Sequence, residues 1–385
     1  MWQADLPCPW PDCRDGTPDT SIHADNADFD RVHWRIDDEH ELYFWHKRNT
    51  PYAYDIRRAA IHELLILQGI VPSIIWHYTN IQAFKNLVES NDLWLTDIEY
   101  LNDSTEFSHG FSYLSSRLQK ADYDIKSDHI EFHKILEKIF KENLDVLENM
   151  TVMPRISVVC FGMCVGGDDL TQWKGYGHGG TGVAIGFDRD APLFWRSHIA
   201  TLGRVIYDNK LKDLLADRIA LYVGFAAKAD MAQETSIVPK YFPNLHFMYE
   251  SKLLDLLMEI SVFLKDEGFN TENEARFVYN RNASNEDETA DNRAVIFSDK
   301  ENRFRVQGNV IISYCGTSDI RTTPAVEIRI MPPVLTPEEL PIREVLIGPI
   351  ASKKPLIEKG INEFLRTKRS DEVRVRTSKL PLQDN

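Results

Sequence analysis

The stretch that decides the fold is SIIWHYTNIQAFKNLVESNDLWLTD, residues 73–97. Its two ends are short apolar runs of the kind found in buried strands. The middle carries apolar residues at helical intervals, namely Ile81, Phe84, Leu87 and Val88. Thr79 and Gln82 have the spacing of a capping box, which predicts that the helix begins directly after Thr79. The stretch therefore predicts a strand, a helix and a second strand.

The same alternation continues to the end of the chain. Residues from Asp103 to about Met150 have a mostly helical pattern, and SKLLDLLMEISVFLKDEG predicts a helix that ends at Gly268. The remaining predicted strands are RISVVCFGM, TGVAIGF, ENEARFVYN, AVEIRIMPP, REVLIGPI and EVRVRTS, and the last predicted helix is KPLIEKGINEFLRT. We therefore expect an α+β protein with a mixed or split central sheet and surrounding helices.

Composition narrows the possible functions. The chain has 385 residues, 43% of them hydrophobic, and its 59 acidic and 44 basic residues give a net charge of -15. That balance argues against a broad, nonspecific grip on nucleic acid. No apolar run reaches the roughly 20 residues that cross a bilayer, and the first residues lack a signal-peptide pattern. We expect a cytoplasmic protein without a membrane partner.

The chain also suggests a division near residue 70. Residues 1–70 form an aromatic-rich N-terminal extension that we expect to pack on the body, and 71–385 form one catalytic or binding domain. The aromatic residues of the extension are Trp34, Tyr43, Phe44 and Trp45. Aromatic residues at such density are more often core than partner surface. Nothing in the sequence predicts an oligomeric state.

Four polar clusters lie at predicted strand ends or in nearby loops, where a rigid scaffold commonly presents functional groups. They comprise His77, Tyr78 and Thr79; Asn102, Asp103 and Glu106; Trp173 and Tyr176 with Gly175, Gly177, Gly179, Gly180 and Gly182; and Glu272, Glu274 and Arg276. Each also has a structural interpretation. Asp103 and Glu106 have the spacing of a helix N-cap and its N3 partner. Glu272 and Glu274 would share one face of a strand, which requires solvent or a counter-charge.

The order of these motifs resembles a bacterial family known as domain of unknown function 2971. The motifs are HYT, LND with a following Glu, the Trp-Tyr-Gly segment before GVAIGF, ENEAR and VLIGP. The resemblance covers roughly residues 73–377. It implies no mechanism by itself.

A more remote resemblance is to ADP-ribosyltransferases of the His-Tyr-Glu type. It implies a catalytic Glu274, a His77 and Thr79 that hold ribose or amide groups, and a Tyr176 that stacks on nicotinamide. Glu272 would complete a Glu-x-Glu pair, and Tyr100 competes with Tyr176 for the stacking role. Arg276 would meet a phosphate or neutralise Glu274. A carboxylate that faces the positive charge developing on ribose should accelerate cleavage.

The resulting expectation is an enzyme that cleaves NAD at the nicotinamide–ribose bond and needs no metal. Its acceptor could be a protein side chain, a nucleic-acid base or water, and its biological role that of a toxin or anti-phage effector. One alternative is a metal-dependent phosphodiesterase or nuclease that uses Asp103, Glu106, Glu272 and Glu274, perhaps with His77. The other is a non-catalytic sensor or partner-binding module.

Overall fold

A ten-stranded mixed sheet with helices on both faces organises the chain. The computed structural model describes residues 56–101, 106–120, 156–195, 200–232, 245–281, 303–307, 310–320, 339–369 and 372–381. The strands are Ile74–Thr79 (β1), Trp94–Asp97 (β2), Ile156–Gly162 (β3), Val183–Asp188 (β4), Ala200–Arg204 (β5), Glu274–Asn280 (β6), Arg303–Gln307 (β7), Val310–Gly316 (β8), Ile342–Ile347 (β9) and Arg374–Thr377 (β10). The predicted α+β class is confirmed.

Seven α-helices belong to the described residues. They are Ile56–Gln68 (α1), Ile81–Ser90 (α2), Glu106–Lys120 (α3), Leu170–Gly175 (α4), Asn209–Ala232 (α5), Leu245–Ser261 (α6) and Lys354–Lys368 (α7). Short 3-10 helices lie at Ile98–Tyr100, His178–Gly180, Pro192–Phe194, Glu267–Glu272 and Thr317–Asp319. No helix in the described ranges is long and apolar enough to cross a membrane.

The strand order is β10-β9-β4-β1-β3-β2-β8-β7, with β6 on the other edge of β3 and β5 beyond β6. The β9–β10 ladder is parallel and the other ladders are antiparallel. Among the strands that the structure describes, β3 alone has three partners. It pairs with β6 along its whole length, whereas β1 and β2 divide its opposite edge between them.

That divided edge makes the sheet a split one. β2 pairs with Ser157 and Val158 at the start of β3, and β1 meets β3 only through the pair Trp76 and Gly162. Between these two ladders, residues 159–161 have no strand partner on this edge in the part of the chain that the structure describes. We call this unpaired stretch the split. The expectation of a mixed or split sheet is confirmed.

The two faces of the sheet differ in chemistry. On one face, a large apolar core joins the sheet to α2 and α7, with Phe84, Phe161 and Leu365 among its buried members. On the other, a smaller cluster around Trp76 and Trp173 lies beside buried charged groups. Because side chains alternate along a strand, the register decides on which face each candidate residue lies.

Two predicted boundaries move by a few residues. Thr79 is not the N-cap of α2, because it still pairs with Val183 as the last residue of β1. Asn80 takes that role and accepts a 2.8 Å hydrogen bond from the Ala83 amide. The predicted helix up to Gly268 ends at Ser261 instead.

Helix α1 lies in the sequence segment assigned to the N-terminal extension. Its residues Ile56, Ala59, Ala60 and Leu64 are buried, and it packs against α5 and α6. Arg57 makes two 2.7 Å hydrogen bonds to Glu259 on α6. Residues 1–55, with the aromatic residues named above, and the predicted strand AVEIRIMPP lie outside the described residues, as do residues 121–155 of the helical region.

Candidate site at the start of strand β6

The two glutamates of the ENEAR motif lie on different elements. Glu272 ends a 3-10 helix, and Glu274 is the first residue of β6. Asn273 between them adopts a left-handed backbone with φ of 43°. The prediction that both glutamates share one face of a strand is therefore wrong, because the αL residue turns the chain between them.

Glu274 is buried, with 5% of its surface exposed. Arg276 binds it through two hydrogen bonds, from Nε to Oε1 at 3.0 Å and from Nη2 to Oε2 at 3.1 Å. The Lys265 ammonium lies 3.6 Å from Oε2. Two cations thus surround this carboxylate. Arg276 neutralises Glu274, which is one of the two roles that the sequence suggested for it.

The electrostatics of Glu274 follow from these contacts. Burial alone would raise its pKa, but the charge and hydrogen bonds of Arg276, together with Lys265 and the Cys160 thiol, outweigh burial. The pKa of Glu274 therefore lies below its usual range, and the group is ionised at neutral pH.

Lys265 joins the two glutamates. Its ammonium also contacts Oε2 of Glu272, and it lies 5.0 Å from the centre of the Phe269 ring. The Lys265 side chain is 2% exposed, whereas that of Glu272 is 17% exposed. Glu272 is therefore the carboxylate of this cluster that solvent, and hence a ligand, can reach.

Tyr176 approaches the same carboxylate from α4. Its hydroxyl lies 3.4 Å from Oε1 of Glu272, and the residue is 36% exposed. Gln172 fixes the relative position of the two segments, since its Nε2 donates a 2.6 Å hydrogen bond to the Glu272 carbonyl. The structure thus brings together Tyr176, Glu272, Glu274 and Arg276 from the predicted site.

Trp173 has a structural role next to this cluster. It is fully buried, its ring packs edge-on against Tyr78 at 5.0 Å, and its indole N–H donates to Asp168 at 3.0 Å. Asp168 also accepts from Ser378 at 2.6 Å and from the Lys379 amide at 2.9 Å. The loop before α4 is therefore tied to the segment that follows β10.

The glycine-rich segment packs mainly on the protein itself. A Cβ on Gly182 would lie 2.2 Å from the Thr79 carbonyl oxygen, and one on Gly177 would lie 2.4 Å from the Trp173 ring. Gly175 and Gly179 have open space instead. Packing therefore explains the absent side chain at Gly177 and Gly182.

His77 lies at the split rather than beside Glu274. Its Nδ1 is 3.2 Å from the Cys160 carbonyl oxygen, on the unpaired stretch of the β3 edge, and its ring meets Phe161 edge-on at 6.1 Å. The pairs Trp76–Gly162 and Gly162–Glu274 put Trp76 and Glu274 on one face, so His77 leaves the sheet on the other. The structure therefore does not bring His77 to Glu274.

Burial lowers the pKa of His77, and the positive charge of Arg305 lowers it further against the opposing hydrogen bond to Cys160. The imidazole is thus neutral at pH 7. If Nδ1 carries the proton and donates it to the Cys160 carbonyl, Nε2 is a hydrogen-bond acceptor.

The other candidates do not join the cluster. Thr79 is half-buried in the β1–β4 ladder, and Tyr100 is half-buried in the 3-10 helix after β2. Asn102, Asp103 and the side chain of Glu106 lie outside the described residues. Within the described ranges, no group of three or more His, Cys, Asp or Glu residues could hold a metal ion.

Sequence reasoning did not find Lys265, Cys160 or Arg305. Lys265 was hidden in a segment predicted as helix, and no local pattern marks a buried lysine. Cys160 lies within an apolar strand, and Arg305 lies in a short stretch that carried no motif.

Comparison with known proteins identifies one family. Residues 172–277 match the family model described as protein of unknown function (DUF2971), which confirms the resemblance drawn from the motifs over this segment. The matched segment runs from α4 into β6 and contains Tyr176, Glu272 and Glu274. Searches of curated proteins and of solved structures gave no match.

Proposed function

We propose that this chain, with its DUF2971 segment, binds NAD and breaks the nicotinamide–ribose bond beside Tyr176 and Glu272. The observation that carries the proposal is the pairing of an exposed aromatic ring with an accessible carboxylate, whose oxygen lies 3.4 Å from the Tyr176 hydroxyl. A flat ring can stack on the phenol while the carboxylate faces the adjoining sugar.

The chemistry needs a fixed negative charge. Loss of nicotinamide builds positive charge on the ribose, as in glycoside cleavage, and a preoriented carboxylate stabilises that charge. Lys265 holds one oxygen of Glu272, so the other oxygen keeps a defined direction. The Gln172 hydrogen bond to the Glu272 backbone supports the same orientation.

The two glutamates differ in their proposed roles. Both oxygens of Glu274 are engaged by Arg276, and the carboxylate is buried. We therefore assign the catalytic role to Glu272 and make Glu274 a positioning residue that shares Lys265 with it. Arg276 also donates a 2.6 Å hydrogen bond to the Val262 carbonyl, so its guanidinium serves the fold rather than a phosphate.

His77 and Thr79 do not contact the nicotinamide or the ribose in this proposal, because their side chains leave the sheet on the face opposite Glu274. The ADP-ribose acceptor is a protein side chain, a nucleic-acid base or water, and a toxin or anti-phage role would follow from the loss of cellular NAD.

The test measures nicotinamide release from NAD by the purified protein in EDTA. Wild type is compared with Glu272→Gln, Glu274→Gln and Tyr176→Ala. We expect Glu272→Gln to lower kcat roughly 10²- to 10³-fold with the fold intact, as for other preorganised charges. Tyr176→Ala should mainly raise KM. Glu267→Gln, an exposed glutamate on the same 3-10 helix, is the matched control and should behave as wild type.

Three results would contradict the proposal. The first is no NAD binding and no release, with or without protein and nucleic-acid acceptors. The second is equal activity in Glu272→Gln and Glu267→Gln. The third is phosphodiester cleavage that requires added Mg²⁺ or Mn²⁺ and disappears in EDTA, which would favour the metal-dependent alternative.

A further inference from the structure

Arg305 occupies an unusual position at the middle of β7. Its guanidinium carbon lies 5.7 Å from the centre of the Trp94 ring and 5.9 Å from that of Tyr314. Its Nη2 donates a 2.7 Å hydrogen bond to the Thr96 hydroxyl. Two aromatic rings and one hydroxyl therefore hold the plane of the guanidinium in a fixed orientation.

No carboxylate neutralises this charge among the described residues. Arg305 forms no ion pair there, and its Nε is buried without a hydrogen-bond partner. Arg303, two residues earlier on the same strand, provides the contrast. It binds Asp92 and Asp319, each at 2.7 Å.

Arg305 is half-buried, and a partly buried charge without a counter-charge carries a desolvation cost. Burial lowers the pKa of Arg305, and the opposing influence of Tyr314 is smaller. Buried charges in proteins are usually paired with an opposite charge or a ligand. A chain with 59 acidic residues does not lack carboxylates, so this arrangement indicates a place for an external anion.

Arg305 lies next to the split of the sheet. The ladders align it with Ile312 on β8, and they align Tyr314 with Thr96 and Thr96 with Val158 on β3. All these side chains share one face of the sheet. This is the face that carries Trp76 and Glu274, and His77 lies on the opposite face.

We propose that Arg305, oriented by Thr96 and held between Trp94 and Tyr314 beside the sheet split, binds a phosphoryl or pyrophosphoryl anion. A planar guanidinium can donate two parallel hydrogen bonds to phosphate oxygens. Thr96 takes one hydrogen of Nη2. The second Nη2 hydrogen is parallel to an N–H of the neighbouring Nε or Nη1, so a parallel pair of donors remains available. The inference goes beyond the proposed function, because it requires an anionic ligand but no cleavage of NAD.

The test is isothermal titration calorimetry of the full chain with inorganic pyrophosphate, ADP-ribose and adenosine. The variants are Arg305→Met, which keeps an unbranched apolar stem, and Arg305→Lys, which keeps the charge without the planar fork. Arg343→Met is the matched control. Arg343 is an exposed residue of β9 that pairs with Asp188 at the end of β4. The substitution therefore removes the same charge at a position away from the split.

We expect wild type to bind pyrophosphate and ADP-ribose but not adenosine. Arg305→Met should weaken that binding roughly 10- to 100-fold, as for other charge-assisted hydrogen bonds, and Arg305→Lys should weaken it less. Arg343→Met should bind as wild type. Denaturation of Arg305→Met should occur near the wild-type midpoint, because removal of a half-buried charge without a counter-charge offsets the lost contacts with Trp94, Tyr314 and Thr96. Should this variant not fold, Thr96→Val, which loses the orienting hydroxyl, replaces it and should also weaken binding.

A purely structural Arg305 predicts the reverse pattern. Lower stability of Arg305→Met with unchanged anion affinity would overturn the inference, as would equal losses in Arg305→Met and Arg343→Met. Absence of pyrophosphate and ADP-ribose binding by wild type would also overturn it. Anion binding that depends on Arg305 in a protein that releases no nicotinamide would support the anion site while refuting the proposed function.

Discussion

Glu274→Gln tests whether the buried cluster at the start of β6 stabilises the fold through charge. The substitution keeps the size of the side chain but removes its negative charge. Arg276 then loses its bidentate partner, and the new amide N–H faces guanidinium donors that were bound at 3.0 and 3.1 Å. The buried Lys265 keeps its contact with Glu272, and the buried Arg276 keeps its hydrogen bond to the Val262 carbonyl, but neither keeps the charge of residue 274.

The expected loss at pH 7 is about 3–5 kcal/mol of unfolding free energy, the range for breaking a buried ion pair on one side. Urea denaturation monitored by circular dichroism measures this loss of unfolding free energy. Glu89→Gln on α2 removes a carboxylate from an exposed pair with Lys85 and should leave the midpoint unchanged. The double variant Glu274→Leu with Arg276→Met removes both charges and should recover a large part of the loss.

The pH dependence supplies a second readout. The pKa of Glu274 is lower in the folded than in the unfolded state. The unfolding free energy that its charge contributes is therefore fully present above the unfolded pKa, near 4.5. It is lost as pH falls through the folded pKa. The difference between wild type and Glu274→Gln should therefore shrink below pH 4.5. A Glu274→Gln variant within about 1 kcal/mol of wild type at pH 7 would refute a charge-based role, given the cost of unpaired buried ions.

Two further substitutions test the loop before α4. Gly167 has φ of 66°, and a Cβ there would lie 2.2 Å from the Trp76 ring, so Gly167→Ala should cost about 2–5 kcal/mol in chemical denaturation. Gly175→Ala, which has open space, should change stability by less than about 1 kcal/mol, and equal effects would contradict the packing argument. Asp168→Asn weakens the bonds to the segment after β10 and should speed hydrogen exchange of the Lys379 amide roughly tenfold, a cost of about 1–2 kcal/mol. Unchanged exchange would show that the tie does not depend on the charge.

The local sequence patterns predicted the central elements well. The strand, helix and strand of residues 73–97 follow from hydrophobic spacing alone, and so does β6 in ENEARFVYN. The error at the start of α2 was one residue, because Thr79 and Asn80 are both good N-caps and only the ladder with Val183 decides between them. Such decisions depend on pairing between distant segments.

The composition of the candidate site depended on register as well. The single pair of Trp76 with Gly162 determines that His77 and Glu274 leave the sheet on opposite faces. No local pattern in either segment contains that information, because a shift of one residue would reverse it. The place of Lys265 was equally unpredictable, since it results from the early end of α6 and from contacts with Glu272 and Glu274.

The split of the sheet has a mechanical consequence. β3 and β6 form a continuous ladder, whereas β1 is attached to β3 through a single residue pair. The strands on the β1 side and those on the β2 side are therefore joined by few backbone hydrogen bonds, and side-chain packing around Phe161 and the His77 hydrogen bond to the Cys160 carbonyl supply further links. The continuity of the sheet at this point depends on side chains more than on the backbone ladder.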